Sequence, residues 1–225
     1  MKVPNSFVPR KNLDEEVKKL LECDKKNMHI WSRLVIEDGV KQDTDLFNAS
    51  LQVLKKAGYE RHMFPWEYFG LLVDYYERRL PERYRWLVED ILNSKAEWLS
   101  MVVKRTNDKL VCYANPQNLF WDNRNSCYVP DGTLEYDPSL SREFSVEGMK
   151  PGEIIPVKEM SDEFIKYIYT MPYDELPKDM KKMNNKFAVP YPDIFLIFGN
   201  GYYNKNMAIV SAQKFMAYRG VKEFH

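Results

Sequence analysis

The sequence predicts an α+β fold with a helical N-terminal half, a central antiparallel β hairpin or meander, and a mixed C-terminal part. Two patterns predict it. Apolar residues recur at three- and four-residue steps between Leu13 and Leu92, whereas from Trp98 onward β-branched and aromatic runs alternate with polar turn formers. A third observation is that 44% of the 225 residues are hydrophobic and only nine are glycine, enough apolar surface to cover a real core. Residues 1–97 read as a helical region and 98–225 as a mixed strand and helix region, the two packed as one compact domain.

A first helix begins at Asn12, with Glu15 as capping partner and Leu13, Val17, Leu20 and Leu21 on one face. The next starts near Asp43, aligns Phe47, Leu51 and Leu54, and stops at Gly58, a residue suited to a left-handed helix end. Pro65 suits a first helical turn, and Tyr68, Phe69, Leu72, Tyr75 and Tyr76 carry the apolar stripe on to Leu80. Pro81 then restarts the pattern for Tyr84, Leu87, Val88, Ile91 and Leu92.

Trp98 to Arg105 and Lys109 to Ala114 flank the turn formers Thr106, Asn107 and Asp108, which predicts a hairpin. The competing reading runs a helix from Ser94, boxed by Glu97, through Val103. Leu119 to Trp121 and Cys127 to Val129 enclose a polar turn and extend the hairpin into a meander. Pro130 to Pro156 reads as a long surface connection or irregular strands. Ser161 caps a helix carrying Phe164, Ile165, Ile168 and Tyr169 that ends at Pro172, and Lys178 to Lys186 reads as exposed. Ile194 to Phe198 is a buried strand, and the segment of Met207, Val210 and Ala217 closes the chain as a helix or another strand.

Thirty-three basic residues balance thirty-three acidic ones, so no whole-molecule field draws the chain to nucleic acid or to an anionic membrane. No apolar run approaches the roughly 20 residues of a membrane helix, and no membrane partner is expected. The first ten residues lack the apolar stretch of a secretory signal, and three cysteines without CxxC spacing suit a reducing compartment; the expected location is the cytoplasm, with free thiols.

The candidates for chemistry are few. His29, His62 and His225 stand outside metal-ligand spacing, so no metal and no cofactor is expected. Cys112 with His62 or His29 is a thiol and imidazole pair only if the fold joins them, and Cys112 lies in an expected strand where a small thiol packs. Asp43 with Asp45, Glu89 with Asp90, and Asp174 with Glu175 are acidic pairs that surface solvation explains equally well. Gly199, Asn200 and Gly201 follow an expected buried strand, a place where backbone amides approach a phosphate in some α/β proteins, and form the small-ligand candidate. A simple turn is the plainer account, because the third glycine and the P-loop lysine are missing.

Arg78, Arg79, Arg83 and Arg85 interleave with Tyr75, Tyr76, Tyr84 and Trp86, the combination that grips phosphate and stacks bases, although Glu77, Glu82, Glu89 and Asp90 offset the charge. Leu119, Phe120 and Trp121 beside a polar turn are the candidate interaction surface in a chain with five tryptophans, fifteen tyrosines and twelve phenylalanines. The functional expectation is therefore a non-enzymatic protein interaction or assembly factor, with a protein partner or self-association favoured. The alternatives are an enzyme acting on a nucleotide or phosphorylated ligand, and, less favoured, a nucleic-acid-binding protein.

Overall fold

The apolar stripe from Tyr68 to Val73 becomes the centre of helix α1, Pro65–Tyr76, in a computed structural model of the chain. The structure describes residues 7–9, 30–36, 47, 51, 54–55, 59–93, 97–122, 127–182, 186–188, 195–197, 208–209 and 217–222. Pro65 opens α1, where its missing N–H costs nothing. The helix ends at Tyr76, short of Leu80, because Arg78 turns left-handed (φ 59°) and the N–H groups of Arg79 and Leu80 fold back on the Asp74 carbonyl. Pro81 precedes a 3-10 turn, Glu82–Tyr84, which runs into α2, Arg85–Asn93. Tyr68, Phe69, Leu72 and Val73 of α1 and Leu87, Val88 and Ile91 of α2 are buried in one core.

The predicted hairpin forms. β4 is Glu97–Trp98, and β5, Met101–Thr106, pairs antiparallel with β6, Lys109–Ala114, across Asn107 and Asp108. Asn107 takes φ 51°, a conformation asparagine tolerates, so the turn decides strand over the competing helix at residues 98–103. β7, Leu119–Asp122, and β8, Cys127–Pro130, form a second hairpin, but among the described residues β7 does not pair with β6, so the two hairpins are not joined in the expected meander. The Asp131 N–H bonds the Asn118 carbonyl at 2.8 Å, which makes Leu119↔Pro130 a non-hydrogen-bonded pair, a place that needs no N–H from proline on that side.

Residues 130–156, expected as a connection or irregular strands, contain a nine-residue strand, β9 (Asp137–Ser145), and the short β10 (Ile154–Pro156). After Ser161, whose hydroxyl accepts the Phe164 N–H at 3.3 Å, comes helix α3, Asp162–Tyr169, ending at Thr170 (φ 65°). α4, Lys178–Lys182, turns its lysines outward but buries Met180, so this stretch is not wholly exposed. β11 (Lys186–Ala188), β12 (Phe195–Ile197), β13 (Ala208–Ile209) and β14 (Ala217–Lys222) follow; Ala217, expected in a helix or a strand, lies in a strand, and Met207 and Val210 lie outside the described residues.

The N-terminal half also supplies strands: β1 (Phe7–Pro9), β2 (Ile30–Ile36) and β3 (Arg61–His62). They join β14 in a sheet ordered β1-β2-β14-β3, with β4 pairing parallel to β14. A six-stranded antiparallel sheet runs β7-β8-β12-β5-β6-β9, and a three-stranded one β10-β11-β13. Phe47, Leu51 and Leu54 are helical and buried as expected, whereas the helix expected at Asn12 and the stop at Gly58 lie outside the described residues.

One face of the six-stranded sheet, with Met101, Val103, Leu110, Cys112 and Phe144, closes on the helices. Phe164 of α3 meets Phe144 of β9 at 5.3 Å and Phe187 of β11 at 5.4 Å, joining the two sheets, while Phe69 and Tyr169 pack α1 on α3 at 4.5 Å. Most of the described aromatic side chains are thus spent inside the molecule.

Candidate functional site

Strand β9 is the outermost strand of the six-stranded sheet on one side, and its ladder decides which of its peptide groups are used. The Val146 N–H bonds the Asp108 carbonyl at 2.8 Å, so pairing alternates from there: Leu110↔Phe144 and Cys112↔Arg142 exchange hydrogen bonds, and Lys109↔Ser145 and Val111↔Glu143 do not. The N–H and C=O groups of Glu143 and Ser145 consequently point away from β6. Both residues are exposed, and among the described residues no further strand pairs with this side.

Toward its start the strand is closed off by a bulge. Residues 138–141 stand where β6 has Tyr113 alone, and the excess chain is tied down by its own polar groups. Asp137 Oδ1 accepts the Ser139 N–H at 2.9 Å and its hydroxyl at 2.6 Å, and these bonds hold the Asp137 carboxyl below its usual range. The Ser141 hydroxyl donates to the Asp137 carbonyl at 2.6 Å and accepts from the Ala114 N–H at 3.0 Å. Arg142 donates to the Ser139 and Ser141 carbonyls, and the Tyr167 hydroxyl to that of Leu140 at 2.6 Å. Charge at Arg142 and Glu143, Pro138 and the bulge are the devices by which an edge strand avoids indiscriminate pairing, and they leave only the segment around Glu143 and Ser145 open. Tyr136, 39% exposed and edge-on to Tyr113 at 4.8 Å, precedes this strand; Ile154, 65% exposed, sits on β10, the edge of the three-stranded sheet.

The four arginines stand around the α1–α2 corner, most of them engaged with neighbours. Arg79 pairs with Asp74 at 2.9 Å and Glu77 at 2.6 Å, Arg85 with Glu82 at 3.1 Å, and Arg83 lies over the Tyr84 ring at 4.9 Å. Arg78 is exposed. Leu119 is fully buried and belongs to the interior; Phe120 and Trp121 occupy β7, the opposite edge of the same sheet. Gly199, Asn200 and Gly201 lie outside the described residues.

Cys112 is fully buried on the core face of β6, and burial pushes its thiol far above the range in which a thiolate forms. His62 is equally buried, against Phe47 at 4.8 Å, and burial followed by the Arg61 charge lowers its pKa to about 3. Both side chains are built for packing in this state, not for proton transfer near neutrality. Among the described residues no three His, Cys, Asp or Glu side chains gather to hold a metal, and no helix is long and apolar enough to cross a membrane.

No family model, curated protein or solved structure matches the chain.

The open segment of β9 was not among the sequence candidates. Its signal was present as alternation: Ser139, Ser141, Glu143 and Ser145 fall on one parity and Leu140, Arg142 and Phe144 on the other, the period of a half-wetted strand.

Proposed function

We propose that the chain is a non-enzymatic interaction or assembly protein that receives a partner strand along β9. The observation that supports this reading is the pair of outward-facing peptide units at Glu143 and Ser145, on exposed residues beside a bulge that limits how far a strand can add. Backbone hydrogen bonds contribute about 0.5–1.5 kcal/mol each, against an association cost of about 4–15 kcal/mol. The edge therefore sets register, and apolar contact must supply most of the affinity. Tyr136 supplies an exposed aromatic surface just before the strand.

Substitution Glu143→Pro tests this selectively. The Glu143 N–H makes no bond to β6, so proline leaves the internal ladder intact and blocks only the outer edge. Size-exclusion chromatography with light scattering is expected to show an oligomer or a stable complex for the wild-type chain that Glu143→Pro loses while remaining folded. A monomer that carries no partner, or a complex indifferent to the proline, contradicts the reading.

A further inference from the structure

Arg105 is a cation placed where the described residues supply nothing to balance it. It sits near the end of β5, faces Leu110 across the hairpin, and by strand period shares the core face with Val103; Val103 and Leu110 are fully buried and Arg105 itself is 8% exposed. Its Nε donates to the Asn107 carbonyl at 2.9 Å. Among the described residues its buried Nη1 has no hydrogen-bond partner and no carboxylate lies within ion-pair distance, although Asp108 and Glu147 stand in the flanking turns.

A guanidinium keeps its charge at every ordinary pH, so this site cannot relieve itself by losing a proton. Burial of an unpaired charge is among the costliest arrangements a core can hold, and an unsatisfied nitrogen adds to it. The contrast within this chain is sharp, because Arg61, comparably buried, has both terminal nitrogens on one carboxylate. What Arg105 lacks is a planar or tetrahedral oxyanion that meets its fork, and apolar walls of valine and leucine are the surroundings in which such a bond is strongest.

We propose that Arg105 anchors a small oxyanion site, in which a phosphate or carboxylate group of a ligand takes the Nη1 donors. The bond from Nε to the Asn107 carbonyl holds the guanidinium in place before the ligand arrives. The site is independent of strand addition, since Arg105 and the Glu143 and Ser145 peptide groups belong to different strands with β6 between them.

Isothermal titration calorimetry of the full chain with inorganic phosphate and, separately, with acetate, at constant ionic strength in chloride, is the test. Saturable binding of either anion is expected, weakened at least about tenfold in Arg105→Lys, which keeps the charge without the fork, and lost in Arg105→Met. Tighter phosphate than acetate assigns a phosphorylated ligand, and the reverse a carboxylate; both support the site. Absence of saturable binding of both anions to the wild-type chain overturns the proposal, as does binding that Arg105→Lys and Arg105→Met retain unchanged. If Arg105→Met does not fold, Arg105→Lys decides alone: weakened binding supports the site and unchanged binding overturns it.

Discussion

Replacing Glu67 by glutamine removes one charge and no heavy atom from the link between β3 and α1. Glu67 receives Arg61 through two parallel bonds, Nη1 to Oε2 and Nη2 to Oε1, each 2.7 Å, and also accepts the Phe64 N–H at 2.8 Å, which caps the helix. The two side chains are 7% and 9% exposed, and the guanidinium lies 3.8 Å over the Phe64 ring. Unit charges about 4 Å apart attract by about 4 kcal/mol at an effective dielectric constant near 20, and desolvation offsets much of that while the pair is whole. Once the carboxylate is gone the offset disappears, because Arg61 stays buried and charged. Loss of one partner of such a pair costs about 3–5 kcal/mol, and the glutamine oxygen recovers part of this as a neutral acceptor. A loss of about 3 kcal/mol is expected, a large share of the 5–15 kcal/mol typical of a folded domain. In equilibrium urea unfolding followed by tryptophan fluorescence, the midpoint should fall by roughly 1 M with little change of slope. Arg61→Met alone should cost a similar amount, and the double variant should be destabilised by at least about 2 kcal/mol less than the two single losses combined. A Glu67→Gln midpoint equivalent to less than about 0.5 kcal/mol of destabilisation refutes the reasoning.

Further outcomes follow from single sites. His62 binds its proton only near pH 3 when folded but near 6.5 when unfolded, so stability is complete above about pH 6.5 and falls as pH drops toward 3, by about 2 kcal/mol at pH 5. Urea midpoints across that window should flatten in His62→Gln, and parallel wild-type and variant curves contradict the assignment. Gly220 of β14 has no room for a methyl: a Cβ there meets Tyr59 Cγ at 2.5 Å and Leu54 Cδ2 at 2.6 Å. Gly220→Ala should lower the melting temperature, at a cost of about 1–3 kcal/mol. Gly70→Ala, mid-helix with nothing within 4 Å, should raise it, by about 0.5–1 kcal/mol. Cys112 should resist iodoacetamide in the native chain and react in urea, read by peptide mass mapping; rapid native alkylation contradicts its burial.

Where local chemistry and packing agree, the sequence was a reliable guide. The stripe of α1, the restart at Pro81, the Ser161 cap of α3 and the turn at Asn107 each combine a periodic pattern with a residue that has a mechanical reason to be there. Legibility failed where the reason is distant. Arg61 and Glu67 carry no local sign of their pairing, which arises only when β3 is laid against β14 and the start of α1, and Leu119 looked like part of a sticky surface until the sheet buried it. Arg105 gave no signal at all, since an arginine beside a hairpin turn is normally solvated. For the arginines at the α1–α2 corner the carboxylate partners, Asp74 among them, come into place only when the helix ends at Tyr76 instead of continuing to Leu80. The β9 segment was obscured because Pro138 and the bulge break a strand pattern that the alternation from Ser139 to Ser145 otherwise carries.

Amide hydrogen exchange at four consecutive positions of β9 tests the open edge most directly. In protein dilute enough that light scattering reports a free monomer, the N–H groups of Arg142 and Phe144, bonded into the ladder with β6, should exchange slowly, and those of Glu143 and Ser145 rapidly. Equal protection at all four positions would mean that the outer side of β9 is already covered, and the account of a strand-receiving edge would fail.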